Sequence, residues 1–82
     1  MSLFDFLNFD LVINKDCLQN LPKEKVGGIY FFFDDYGDII YIGKTNNIQL
    51  RVRLHFTGQT HSVHFSYLFK DCGIIFVSNE CY

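Results

Sequence analysis

Two tyrosine-containing tripeptides, followed by an arginine and a histidine, could together bind a phosphate and move a proton. Gly28-Ile29-Tyr30 and Tyr41-Ile42-Gly43 are separated by ten residues, and Lys44, Arg51 and His55 follow them. A guanidinium offers planar, bidentate donors to phosphate oxygens, and a lysine adds a point charge. A tyrosine is a poor base at its reference pKa of about 10, but nearby cations favour the phenolate.

This pattern resembles the GIY-YIG nuclease superfamily. The resemblance runs from about Gly27 to Asn79 and includes the run Lys-Thr-Asn-Asn-Ile at 44–48. The tripeptides alone are a weak signal, but their spacing, that run, and an arginine and a histidine one helical turn apart make the resemblance specific. It implies a metal-dependent endonuclease module that hydrolyses DNA phosphodiester bonds, with Mg²⁺ or Mn²⁺ as the expected cofactor and DNA as the partner.

The resemblance also implies roles for individual residues. Tyr30 or Tyr41 would activate water, Arg51 would contact the scissile phosphate, and His55 would support proton movement. Lys44 could add charge at the same phosphate. We therefore predict Tyr30, Tyr41, Arg51 and His55 as catalytic, and Lys44 and Arg51 as phosphate- and DNA-binding.

The sequence departs from the family pattern at its metal ligand. The resemblance implies a metal-holding glutamate on a helix after the third strand, which we expect beyond Tyr82. Glu80 is the only acid after Asp71, and we assign it no ligand role. His61 and His64 match no family role either. We expect the 82-residue chain by itself to show no metal-dependent cleavage.

Three interpretations of this departure stay open. The chain could be a piece of a longer nuclease, a naturally short product, or a variant that has lost catalysis. The leading hypothesis is a nuclease module that is incomplete in this chain. The alternative is an inactive nuclease-like module that binds DNA or a protein partner, and a small structural domain is the third.

The elements that must position these residues indicate an α+β fold. We predict a short helix over 15–21, strands over 26–33 and 39–43 joined by a turn at 34–38, a helix over 48–56 and a third strand over 73–78. Residues 63–69 are left open between strand and short helix. The predicted domain is a single unit, 1–82, with a three-stranded sheet flanked by helices and the family motifs within 27–79, and we expect it to be truncated after the third strand.

The predicted helix carries two kinds of positions. Ile48, Val52 and Phe56 recur at i, i+4 and i+8 and form one apolar stripe. Arg51 and His55 are also four residues apart, so they should project together beside that stripe. We expect Thr45 or Asn46 to cap the helix, and Arg53 to face another direction.

Composition bounds the class of protein. The chain has 82 residues, 49% hydrophobic and 18% aromatic with ten Phe, which is enough for one small core. No apolar run is as long as a membrane span. The three cysteines are an odd number and widely spaced, so we interpret them as reduced thiols of an intracellular protein. We predict a cytoplasmic location, with nucleoid or nucleus not excluded, and a sheet face open enough to form a homo-oligomer.

Charge is distributed unevenly along the chain. The net charge is −2, yet residues 39–70 contain no acid and four cations: Lys44, Arg51, Arg53 and Lys70. Such a segment could face the phosphates of DNA. The competing interpretation is a solvated helix face next to a buried strand.

Overall fold

An antiparallel sheet with an α-helix packed on one face is the core architecture of the part of the chain that the structure describes. The structure is a computed structural model that describes residues 8–60 and 66–77. The sheet has four strands in the order β1-β4-β2-β3, and the predicted α+β class is confirmed. The elements are β1 (Leu11–Asn14), a first 3-10 helix (Lys15–Asn20), β2 (Gly28–Phe33), β3 (Ile39–Thr45), α1 (Ile48–Phe56), a second 3-10 helix (Ser66–Leu68) and β4 (Asp71–Phe76).

The prediction of three strands was wrong by one. β1 pairs antiparallel with β4, from Leu11 opposite Ile74 to Asn14 opposite Asp71. This strand has only four residues and finds its partner about sixty residues along the chain. Local sequence carries no turn signal for such a distant pairing, and the residues around β1 are interrupted by Asp and Asn.

The hairpin between β2 and β3 is closed by its predicted turn. The Asp34 carboxylate accepts hydrogen bonds from the backbone N–H groups of Tyr36 and Asp38, at 2.9 and 3.0 Å. Gly37 takes a φ of 81°, which a side chain would strain. β3 continues two residues past its predicted end, to Thr45.

α1 has the bounds that the apolar stripe predicted. Ile48, Val52 and Phe56 are buried and belong to the core. The prediction of its cap was off by one or two positions: Asn47 is the N-cap, and its side chain accepts from the Leu50 N–H at 3.3 Å. Thr45 Oγ1 instead accepts from the Asn47 N–H, at 3.0 Å.

The remaining elements differ modestly from their predictions. The predicted helix at 15–21 is a 3-10 helix that ends before Leu21 and Pro22. The predicted third strand begins two residues earlier than expected, at Asp71. In the segment left open, the described part, 66–69, contains a 3-10 turn. No helix in the described parts of the chain is long and apolar enough to cross a membrane.

The strand register divides the sheet into two faces. Paired residues of antiparallel strands point to the same side, and neighbours along a strand alternate. We call the side that meets α1 the inner face; it carries Tyr30, Phe32, Tyr41, Gly43, Cys72 and Ile74. The opposite, outer face carries Ile29, Phe31, Ile42, Lys44 and Gly73.

Candidate active site

The two tyrosines of the tripeptides lie on neighbouring strands of the inner face. Tyr30 is in the middle of β2 and only 2% exposed, and Tyr41 on β3 is partly buried. Their rings are nearly parallel, at an interplanar angle of 13° and a centroid distance of 6.3 Å. The predicted catalytic tyrosines are therefore brought together, with Tyr30 the deeper of the two.

Gly43 makes the position of the Tyr30 ring possible. The two residues are direct partners across the β2–β3 pair. A Cβ placed on Gly43 would overlap the Cζ and hydroxyl of Tyr30. The glycine of the second tripeptide thus leaves space for the tyrosine of the first, and this close approach links the two motifs physically.

His55 connects the helix to this tyrosine pair. It is fully buried, and its Nε2 lies 2.9 Å from the hydroxyl of Tyr30. Its ring also packs against Tyr41, at a centroid distance of 4.8 Å, and against Phe32 at 5.6 Å. A buried histidine needs partners for its ring nitrogens, and Tyr30 supplies one of them.

The second ring nitrogen of His55 meets a residue that the sequence did not single out. Thr60 Oγ1 lies 2.9 Å from Nδ1 of His55. We interpreted residues 57–62 only as a polar loop. A hydroxyl in a loop after a helix is common, so no sequence signal distinguishes this one.

Arg51 faces the same hydroxyl from the preceding turn of α1. Burial and the neighbouring Tyr41 raise the pKa of Tyr30 above its usual value, whereas a hydrogen bond and the positive charge of Arg51 oppose that rise. Arg51 and His55 therefore converge on Tyr30, as their four-residue spacing predicted. Arg51 is partly exposed, so its guanidinium can also meet a ligand from solvent.

The four cations of residues 39–70 do not share one face. Lys44 is on the outer face by the strand register, and Arg53 Nη2 donates to the carbonyl oxygen of Leu18 at 3.2 Å. Lys70 Nζ lies 3.8 Å from Asp35 Oδ1. Of the four, the structure places Arg51 at the tyrosine–histidine cluster. A phosphate-binding role for Lys44 stays a prediction.

Comparison with known proteins decides the family. The UvrC-like GIY-YIG domain model matches residues 26–81, which is more than half of the chain. The chain belongs to the GIY-YIG family. Within this family its match is to the UvrC-like group, and the matched range includes both tripeptides, α1 and β4.

Curated relatives of this GIY-YIG domain agree. UvrABC system protein C of Neisseria gonorrhoeae is 40% identical over 54 residues, which cover 66% of this chain and 8% of that protein. The protein of the same name from Neisseria meningitidis serogroup B is 33% identical over 64 residues, 78% of this chain and 10% of that protein. The chain thus spans about a tenth or less of the length of these relatives. No solved structure matches.

The metal ligand expected from the GIY-YIG family is not found in the described parts of the chain. Within residues 8–60 and 66–77, no group of three or more His, Cys, Asp or Glu side chains could hold a metal ion. Glu80, His61 and His64 lie outside these residues. The described residues therefore do not make up a metal centre, and Mg²⁺ or Mn²⁺ dependence stays a prediction.

Proposed function

We propose that this chain is a GIY-YIG nuclease module that hydrolyses phosphodiester bonds of DNA, with Tyr30 as the group that activates water. The observation that carries the proposal is the convergence of Arg51 and His55 on one buried tyrosine hydroxyl. A cation and a proton acceptor at a single phenol are what a tyrosine needs to serve as a base at neutral pH.

The tyrosine must overcome an unfavourable environment. Burial raises the pKa of Tyr30, since a phenolate loses the solvation that it has in water. Arg51 offsets part of this cost through its charge and hydrogen bond. His55 offers a second route, because its Nε2, 2.9 Å away, can receive the phenolic proton directly. Tyr41 stacks beside Tyr30 at a ring-centroid distance of 6.3 Å.

Arg51 has a second task in this proposal. Hydrolysis of a phosphodiester concentrates negative charge on the non-bridging oxygens. A guanidinium can stabilise this charge by donating two parallel hydrogen bonds. Arg51 is partly exposed and next to the tyrosine hydroxyl. A phosphate bound to Arg51 would therefore lie close to the base, which is the positioning that in-line attack requires.

The metal is the part of the proposal that rests on the family alone. When bound, Mg²⁺ or Mn²⁺ would act as a Lewis acid at the phosphate. The described residues do not assemble a group of ligands for it. Metal titration with chelator controls tests this requirement directly.

A plasmid-nicking assay tests the proposed function. The protein expressed from its native reading frame and the 82-residue chain are each incubated with supercoiled plasmid, with Mg²⁺, Mn²⁺ or chelator. Where either protein nicks the plasmid, we expect the reaction to require the metal. We expect Tyr30→Phe and Arg51→Ala to abolish it. Lys23→Ala, which removes an exposed cation of the loop before β2, should retain it.

The outcomes separate the two functional hypotheses. Nicking that survives both Tyr30→Phe and Arg51→Ala would contradict the assignment of these residues. Salt-dependent DNA binding without nicking by either protein would favour the inactive, DNA-binding alternative. A native reading frame that adds a helix with an inward-facing glutamate after Tyr82 would support the nuclease hypothesis.

A further inference from the structure

His55 meets a hydroxyl at each of its two ring nitrogens. Nε2 lies 2.9 Å from Tyr30 Oη, and Nδ1 lies 2.9 Å from Thr60 Oγ1. The ring itself is fully buried, so the roles of these two hydroxyls as donor or acceptor are coupled to which nitrogen carries the proton. A neutral imidazole has one N–H donor and one acceptor nitrogen, and the partners select between the two tautomers.

The proton positions follow from the donors around Tyr30. Arg51 approaches the Tyr30 hydroxyl, and a guanidinium has donors only. It therefore cannot accept the phenolic proton, and we assign that proton to the hydrogen bond with Nε2 of His55, 2.9 Å away. Nε2 is then the acceptor nitrogen, and Nδ1 carries the N–H. That N–H points at Thr60 Oγ1, and the threonine hydroxyl accepts it.

We propose that Thr60 is a positioning residue of this site: its hydroxyl accepts the Nδ1–H of His55 and favours the tautomer in which Nε2 accepts the proton of Tyr30. The proposal rests on the proposed function, in which Tyr30 is the base. Thr60 itself touches neither DNA nor the reacting water in this scheme and acts through His55.

The proton transfer has a simple balance. The O–H bond of Tyr30 breaks and an N–H bond forms at Nε2 of His55, which leaves a phenolate and an imidazolium. Both nitrogens of His55 are then donors, Nε2 toward the phenolate and Nδ1 toward Thr60. Thr60 accepts in both states, and its hydrogen bond becomes charge-assisted and stronger after the transfer.

The end of α1 explains how Thr60 reaches His55. The Thr57 hydroxyl donates to the Arg53 carbonyl oxygen at 2.8 Å, and Gly58 takes a φ of 72°. The Gln59 N–H then donates back to the Leu54 carbonyl oxygen at 2.8 Å. The chain therefore folds back along the last turn of the helix, and residue 60 arrives beside residue 55. The other charged or titratable groups that face Tyr30 are Tyr41, Arg51 and Cys72.

Nitrogen NMR of the folded 82-residue chain tests the tautomer without any need for activity. The ¹⁵N shifts of His55 distinguish protonated from unprotonated ring nitrogens. We expect Nδ1–H in the unmodified protein and in Thr60→Ser, which keeps the hydroxyl. Thr60→Val, of similar shape but without the hydroxyl, should shift the population toward Nε2–H. An Nε2–H tautomer in the unmodified protein, or an unchanged tautomer in Thr60→Val, would overturn the proposal.

Kinetics supply the second arm. In the nicking assay we expect Thr60→Val to lower kcat about tenfold, the effect of losing one hydrogen bond to a charged group. KM should not change, because in this scheme Thr60 acts through His55 rather than on DNA, and Thr60→Ser should restore kcat. A loss confined to folding stability, with kcat unchanged in the folded protein, would show that Thr60 is structural only and would overturn the proposal.

The NMR and kinetic measurements distinguish a failure of the proposed nuclease function from a failure of the proposed role of Thr60. If no form of the protein cleaves DNA, the proposed nuclease function fails, yet the NMR comparison still decides whether Thr60 sets the tautomer of His55. If cleavage occurs but Thr60→Val leaves both tautomer and kcat unchanged, the nuclease function stands and the role of Thr60 is rejected.

Discussion

The hydroxyl of Tyr30 lies 2.9 Å from Nε2 of His55, although 25 residues separate them in the chain. The tyrosine belongs to β2, which has a strand on either side, and the histidine to the only α-helix among the described residues. One hydrogen bond therefore joins the two layers of the domain, and it does so in the core, where both side chains are almost fully buried. A buried pair of this kind tolerates little displacement. Changes in packing around Tyr30 should therefore alter its hydrogen bond with His55.

Gly43→Ala should displace Tyr30 from this hydrogen bond. An added Cβ would overlap the Cζ and hydroxyl of Tyr30, and overpacking of a core typically costs about 1–3 kcal/mol. Urea denaturation should show a loss of this size, together with a changed ¹⁵N signal of His55. In a Tyr30→Leu background, which removes the overlapping atoms, Gly43→Ala should cost clearly less. Equal costs in both backgrounds would contradict the steric link between the two motifs.

Arg53→Ala should affect stability rather than DNA. Arg53 Nη2 donates to the Leu18 carbonyl oxygen and so ties α1 to the first 3-10 helix. Losing this bond should cost about 1 kcal/mol in the free energy of unfolding, measured by urea denaturation. Arg53→Met should cost less, because it keeps the aliphatic stem and removes Nε, a buried atom without a hydrogen-bond partner in the described residues. A larger cost for Arg53→Met than for Arg53→Ala would refute this view of the contact.

The helix and the positions of Arg51 and His55 on it were predictable because their signal is local. The stripe Ile48, Val52 and Phe56 gave the bounds of α1, and all three are buried. The same periodicity put Arg51 and His55 on one side, and both meet Tyr30. Four-residue spacing on a helix is set by backbone geometry alone, so tertiary structure did not alter the result.

The parts that the sequence missed depend on distant partners. β1 is defined by its pairing with β4, from Leu11 opposite Ile74 onward, and four residues without a hairpin carry little signal of their own. We expected Lys44 and Arg51 to meet the same phosphate. The alternation of side chains along β3 instead puts Lys44 on the outer face. Thr60 was overlooked because its role depends on how the chain reverses after α1.

The Tyr30 phenol should make stability fall at alkaline pH. Its pKa is raised by burial and by Tyr41 from the reference value of 10.0, so folding favours the neutral form. This contribution is complete below pH 10 and is lost as pH rises through the higher folded pKa. Tyr30→Phe should therefore lose less stability above pH 10, as measured by denaturation at a series of pH values.

Arg51 provides an internal check on that titration. Its guanidinium lowers the pKa of Tyr30, so Arg51→Ala should raise the folded pKa further, and the loss of stability above pH 10 should become larger and extend to higher pH. Lys23→Ala removes a cation from a loop rather than from α1 and should leave the profile unchanged. A shift to lower pH in Arg51→Ala would contradict the interaction between Arg51 and Tyr30.

The outer face should support self-association. Ile42 on this face is 56% exposed, and Val12, opposite Gly73 on the same face, is 44% exposed. They lie on the two edge strands of the sheet, β3 and β1, and exposed apolar groups on a sheet face favour contact with another surface. We expect concentration-dependent dimers or larger oligomers at micromolar concentration in sedimentation velocity, weakened by Ile42→Glu. Leu50→Glu, at a similarly exposed site on α1, should matter less, and a monomer at all concentrations would refute the prediction.

DNA binding should be weak and depend on Arg51. Non-specific binding by a small domain typically falls at about 10⁻⁴–10⁻⁶ M, and each neutralised phosphate contributes about −0.9 to the slope of log affinity against log salt. Arg53 donates to the Leu18 carbonyl oxygen and Lys44 lies on the outer face, so Arg51 is the cation of residues 39–70 that we place at a phosphate, and its contribution to the slope is about −0.9. Fluorescence anisotropy of labelled duplex DNA across a salt series measures both quantities.

Arg51→Ala should then reduce that slope by about one unit and weaken binding at low salt. The fold should be retained, because Arg51 flanks the buried stripe of α1 and is itself partly exposed. Lys23→Ala is the matched control, since it removes one exposed positive charge outside α1 and β3 and should leave the slope nearly unchanged. If both variants reduce the slope equally, DNA senses only the net charge of the domain, and the assignment of Arg51 to phosphate is wrong. A selective effect of Arg51→Ala would place the phosphate next to the Tyr30 hydroxyl, where the proposed chemistry requires it.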